Sequence, residues 1–149
     1  MSKQTKACIW FILVLFLFLA GCQEDLTETL SKSEYGDIVE QEEYKMTLEK
    51  DKYPENVDLI TMEIFNNSDT DITFGLEHSV EIYVDGNWYQ IPFKKDAQFQ
   101  AIGVIVKPGE SYSQNVAVDQ LDFSFIPGRY RVIKPILPEV VVSAEFEIE

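Results

Sequence analysis

Six consecutive residues, Asn66-Asn67-Ser68-Asp69-Thr70-Asp71, set side-chain oxygens at alternate positions, the arrangement from which a calcium loop is built. Counted from Asn67, however, the place that needs glycine holds Ile72, and the twelfth, which needs a bidentate glutamate, holds His78. The stretch therefore reads as an inter-strand turn in which Asn and Asp side chains bond their own backbone. His78 is the only histidine of the chain, and the only cysteines are Cys8 and Cys22, so no zinc site is expected. No nucleophile elbow or Ser-x-x-Lys pattern accompanies His78, which reads as a surface or loop residue. Carboxylates are plentiful, but an acidic surface accounts for them without a glycosidase pair, and no glycine-rich phosphate loop occurs. No catalytic residue, metal or cofactor is expected.

The chemistry that the sequence does specify lies at Cys22. Lys3 and Lys6 precede an uninterrupted apolar run over residues 7–20. Its 14 residues would span only ~21 Å as a helix, short of the ~30 Å hydrocarbon core, which fits a signal peptide better than a mature membrane span. Leu19-Ala20-Gly21-Cys22 closes the run and resembles the bacterial lipobox. That resemblance implies a thiol alkylated by diacylglycerol and left at the amino terminus after residues 1–21 are removed. At ~0.8 kcal/mol per buried CH₂, two or three acyl chains on Cys22 would hold the chain firmly to the outer face of the membrane. Cys8 leaves with the signal, so the mature chain has no disulfide and its core must rest on packing.

The full chain of 149 residues carries a net charge of −14; removing Lys3 and Lys6 leaves ten basic residues against 26 acidic, or −16. Such a balance argues against binding nucleic acid, which needs clustered Lys and Arg. Residues 23–43, beyond the lipidated Cys22, hold eight acids against the single Lys32, without sustained periodicity. Residues 22–43 are thus expected to be a flexible, self-repelling tether, with a short amphipathic helix over 26–38 as the alternative.

From Tyr44 the period changes to two. Tyr44, Met46 and Leu48 share one face, as do Ile60, Met62 and Ile64. Val140, Val142, Ala144, Phe146 and Ile148 alternate with Ser143, Glu145, Glu147 and Glu149. In PGRYRV, Tyr130 and Val132 should point inward, with Arg129 and Arg131 facing solvent and contributing little. Turns rich in Asn, Asp, Gly and Pro separate these runs. Many short strands at this spacing, with no convincing helix, predict an all-β sandwich over residues 44–149.

EIYVDGNWYQI calls for a two-residue hairpin in which Gly86 takes a positive φ. Pairing about Asp85-Gly86 sets Ile82 opposite Tyr89 and Val80 opposite Ile91 on the core face. Tyr83 and Trp88 then oppose one another on the outer face. With Phe93, Lys94 and Lys95 in the connection that follows, they form the candidate binding residues, since exposed aromatics are enriched at interfaces; the alternative is that these aromatics cover the sandwich edge or pack under the loop.

KPGES before one strand and IPGRYRV opening the next resemble fibronectin type III and immunoglobulin-like domains, in which an early tyrosine forms a corner. More closely, ITMEIFNNSDTDITFG, VDGNWYQIP, VKPGESYSQNVAV and PGRYRVIKPI are together similar to a bacterial immunoglobulin-like domain found in lipoproteins and surface proteins of Gram-positive bacteria. The likeness covers roughly residues 59–135. It implies a sandwich of seven or eight antiparallel strands and no catalytic residues, and it carries no binding residue over. The expected role is non-enzymatic binding or assembly, with a cell-envelope protein or wall component as partner. The rivals are an inhibitor or immunity-type lipoprotein that plugs an enzyme or toxin, and a cell-wall glycan adhesion module.

Overall fold

The computed structural model describes residues 26–38, 41–136 and 139–149. Cys22 and the signal segment lie outside the described residues. A helical turn, α1 (Leu26–Thr29), precedes eleven strands: β1 (Ser31–Lys32), β2 (Tyr44–Leu48), β3 (Lys52–Tyr53), β4 (Ile60–Asn66), β5 (Ile72–Phe74), β6 (Ser79–Val84), β7 (Asn87–Gln90), β8 (Val104–Val106), β9 (Ser111–Val116), β10 (Gly128–Ile136) and β11 (Val140–Ile148). They form a six-stranded sheet in the order β1-β7-β6-β10-β11-β3, a three-stranded sheet β2-β4-β9 and a pair β5-β8. Every pairing is antiparallel except that of β3 with β11. The expected all-β sandwich is present, and the two-residue β1 and β3 extend its larger sheet at both edges.

Alternation works as the sequence demands wherever one face meets solvent. Ile60, Met62 and Ile64 of β4 are fully buried, Val142, Phe146 and Ile148 of β11 are buried, and all three sheets feed a single apolar core. Tyr130, the third residue of β10, stacks on Phe146 at 5.4 Å; its hydroxyl donates to Ile126 O (2.8 Å) and accepts from Ile126 N (3.2 Å), making the tyrosine corner.

β10 departs from alternation, being buried on both faces from Tyr130 to Lys134, and so does its neighbour β6 from Val80 to Ile82. Tyr130 and Val132 point into the core as expected. Arg131 does lie on the opposite face, but it is 2% exposed rather than solvated, which corrects the expectation of an inexpensive surface arginine. Part of the cover comes from the segment expected to be a flexible tether, whose Ser33 Oγ accepts from Arg131. β1 pairs with β7 (Ser31↔Gln90, Lys32↔Tyr89), Ser33 N donates to Trp88 O (2.9 Å), and Leu26 and Leu30 pack on the core. Residues 26–33 are therefore part of the sandwich.

Candidate functional site

The 84–87 turn takes the shape its residues favour. Asp85 (φ 48°) and Gly86 (φ 82°) both occupy the left-handed region, as a type I′ hairpin requires. The register follows as expected: Ile82 opposes Tyr89, Tyr83 opposes Trp88, and Ile91 N donates to Val80 O at 2.9 Å. Tyr83 and Trp88 meet with ring centroids 5.0 Å apart.

Trp88 is nonetheless only 6% exposed, which corrects the expectation of an open aromatic surface. The protein's own cations occupy that face. The Arg131 guanidinium sits 4.3 Å from the Trp88 ring centroid, and Arg129 lies 5.3 Å from Trp88 and 4.9 Å from Tyr83. Arg131 is held in turn by Glu81, its partner across the β6–β10 ladder. Its Nε and a terminal nitrogen reach one Glu81 carboxylate oxygen at 2.8 and 2.6 Å, with side-chain exposures of 3% and 1%. A terminal nitrogen of Arg131 also donates to Ser33 Oγ (3.3 Å). Arg129 forms a bidentate pair with Glu145 at 2.7 and 2.9 Å, but both are about half exposed, so that pair contributes only ~0–1 kcal/mol. Trp88 is the sole indole of the chain from Cys22 onward. Its emission should therefore be blue-shifted and acrylamide should quench it poorly; emission at the water-exposed limit would contradict this packing.

Phe93, Lys94 and Lys95 do not join the Tyr83–Trp88 pair. β7 runs away from the hairpin turn, and Phe93 lies beyond its far end, bridged to Leu121. Phe93 is half-buried, edge-on to Phe99 (5.1 Å) and His78 (6.0 Å). Lys94 Nζ donates to Asp119 O (2.7 Å), whereas Lys95 is exposed. The structure makes of the candidates a covered pair and a separate, loop-bound group.

His78 lies in the loop before β6, as expected, but is 5% exposed rather than at the surface. Its Nε2 accepts from Ala117 N (3.0 Å), which puts the proton on Nδ1 facing Leu76 O (3.1 Å). Burial pushes the imidazole down to about 4, against the backbone bond to Leu76, and nearby Lys134 pushes the same way. Lys134, wholly buried, donates from Nζ to Gly75 O, to Glu77 O (2.8 Å) and to Gln114 Oε1 (3.2 Å); burial lowers it to about 8. Gln114 Nε2 donates to Leu76 O (2.7 Å), completing a polar lock between β10, β9 and the 75–78 loop. Because the folded imidazole binds its proton more weakly than the unfolded one, stability is full above about pH 6.5 and erodes toward pH 4. His78 should contribute a loss of ~2–3 kcal/mol over that range. Urea midpoints at pH 7 and pH 4.5 should fall further for the native chain than for His78→Gln; equal falls would refute it.

The oxygen-rich turn closes on itself as expected. Asn66 Oδ1 accepts from Ser68 N (3.0 Å) and Ser68 Oγ (2.6 Å), while its buried amide donates to Thr70 O and Val106 O, each at 2.8 Å. Among the described residues no group of three His, Cys, Asp or Glu is placed to hold a metal ion.

The six-stranded sheet, the three-stranded sheet and the β5–β8 pair around a common core, with a tyrosine corner at the start of β10, define an immunoglobulin-like β-sandwich. The chain belongs to the bacterial Ig-like domain family, whose model matches residues 40–147. Domains of this kind are generally non-catalytic. No curated protein matches the chain. Among solved structures it is similar to the Pseudomonas fluorescens alkylpurine DNA glycosylase AlkC bound to DNA containing an abasic site analog, with 14% identity and a TM-score of 0.37. That alignment covers 74% of this chain and 31% of the other, so the chain spans about a third of the glycosylase's length.

Proposed function

We propose that this is a lipoprotein, held at the outer face of the cell membrane by acyl chains on Cys22. Its sandwich serves as a non-enzymatic binding or assembly domain for a cell-envelope protein. The observation that carries the reading is Leu19-Ala20-Gly21-Cys22, which closes an apolar run directly ahead of an Ig-like domain. The covered state of Trp88 favours a protein partner over wall glycan, because a stacking module needs an open aromatic face.

Radioactive fatty acid should label the wild-type chain in cells and leave Cys22→Ala unlabelled, since that thiol is the sole attachment point of the mature chain. Equal label on both would overturn the lipoprotein reading. For the binding role, the chain from residue 22 on, with Cys22→Ser, should capture a defined protein from cell-envelope extract. Retention on purified wall alone would replace the proposal with the glycan-adhesion reading.

A further inference from the structure

The anchored chain has very little slack. Cys22 and Leu26 are four residue steps apart, which can span at most ~14 Å. From Leu26 onward the chain is fastened: Leu30 N bonds Leu26 O, Leu26 and Leu30 pack on the core, and Ser31 enters the ladder opposite Gln90. Because β1 runs antiparallel to β7, going back from Ser31 toward Leu26 follows β7 forward, toward Ile91 and Pro92. The strand therefore heads toward the start of the 92–103 connection, and the helical turn Leu26–Thr29 keeps Leu26 within ~6 Å, one turn, of Leu30.

That connection defines one end of the domain. Its last residues reach a shallow depression of about 360 Å³ shared with Gly75, Glu77 and Pro135, where Ile102 stands 48% exposed. Pro135 and Gly128 are seven strand steps apart on β10, ~23 Å. At the Gly128 end lie its partner Ile148, the chain terminus Glu149 and, beyond the Arg129↔Tyr83 pair, the Asp85–Gly86 turn.

We infer that the surface formed by α1, β1 and the 92–103 connection rests against the bilayer that holds the Cys22 acyl chains, with the Asp85–Gly86 turn and Glu149 directed away from it. The inference depends on the anchorage proposed above and adds to it an orientation, in which exposed Ile102 meets the headgroup region. A short, fastened leash brings this surface to the lipid and keeps the opposite end free.

The test bypasses cellular lipidation, so that its failure and the failure of the lipoprotein reading remain separate. An isotope-labelled chain beginning at Cys22, which keeps every described residue, is coupled through that thiol to a maleimide lipid in nanodiscs doped with a gadolinium-chelating lipid. Amide signals of Ile102 and Gly103 should be lost to paramagnetic broadening, and those of Gly86 and Glu149 retained. Uniform broadening, or stronger broadening at Gly86 and Glu149, overturns the inference. A long Gly-Ser insertion between Asp25 and Leu26 should restore the Ile102 and Gly103 signals. Persistence of the uneven pattern despite the insertion would show that leash length does not set the orientation.

Discussion

Arg131→Met should destabilise the sandwich by ~3–5 kcal/mol, the range for removing one partner of a buried ion pair. The variant keeps an apolar stem against Trp88 and removes the guanidinium, leaving the Glu81 carboxylate, 1% exposed, with no other salt-bridge partner among the described residues. Most of the cost should come from that stranded charge. Arg131→Met combined with Glu81→Leu should therefore recover to within ~1 kcal/mol of the native chain, since apolar replacement of a whole buried pair is often neutral or better. Chemical denaturation of both variants measures this. A double variant as unstable as Arg131→Met alone would place the effect in lost packing on Trp88. A loss below ~1 kcal/mol for Arg131→Met would mean that residues 26–33 leave the face open to water.

Lys134→Met should cost ~2–4 kcal/mol for a different reason. Methionine can follow the lysine stem past Phe74, whose ring centroid lies 5.1 Å from Nζ, so little volume is lost. What goes is the donor shared by Gly75 O, Glu77 O and Gln114 Oε1, and a buried acceptor left unpaired costs ~1–3 kcal/mol. Hydrogen exchange should localise the damage. Amides in the 75–78 loop and at Ala117, whose N–H is held by His78, should lose protection before those of β11. Unchanged exchange at Ala117 would show that Lys134 and His78 do not act as one unit.

The legible parts of this molecule were those fixed by residues close in sequence. Asp85-Gly86 sets its own turn geometry, and with it the register that opposes Tyr83 to Trp88. The same locality made the Tyr130 corner, four residues from Ile126, and the Asn66–Ser68 turn readable. Period two correctly separated the faces of β10 but could not say what covers the outer one. Arg131 meets Glu81 from 50 residues away and Ser33 from 98, so no local pattern marks it as buried. The same distance hid the polar lock: His78 and Ala117 are 39 residues apart, and Lys134 reaches Gly75 across 59. One signal was available, a lysine set within the otherwise apolar VIKPI, where an unpaired cation would be costly. The acidic segment misled because its charge density favours an extended, solvated chain, while Leu26, Leu30 and a few backbone bonds suffice to dock it.

The family match begins at residue 40, and a chain started at Tyr44 looks like a natural minimal domain. Such a fragment would lack β1, and Asn87–Gln90 would become the bare margin of the six-stranded sheet. Backbone donors and acceptors now turned toward Ser31 and Lys32 would then be open to any extended strand, including the same margin of a second fragment. Trp88 O would also lose the Ser33 N–H, adding one more unpaired acceptor to that edge. Shortened preparations are thus set up to pair with one another and precipitate, and the two residues of β1 act as a stopper against sheet-to-sheet growth.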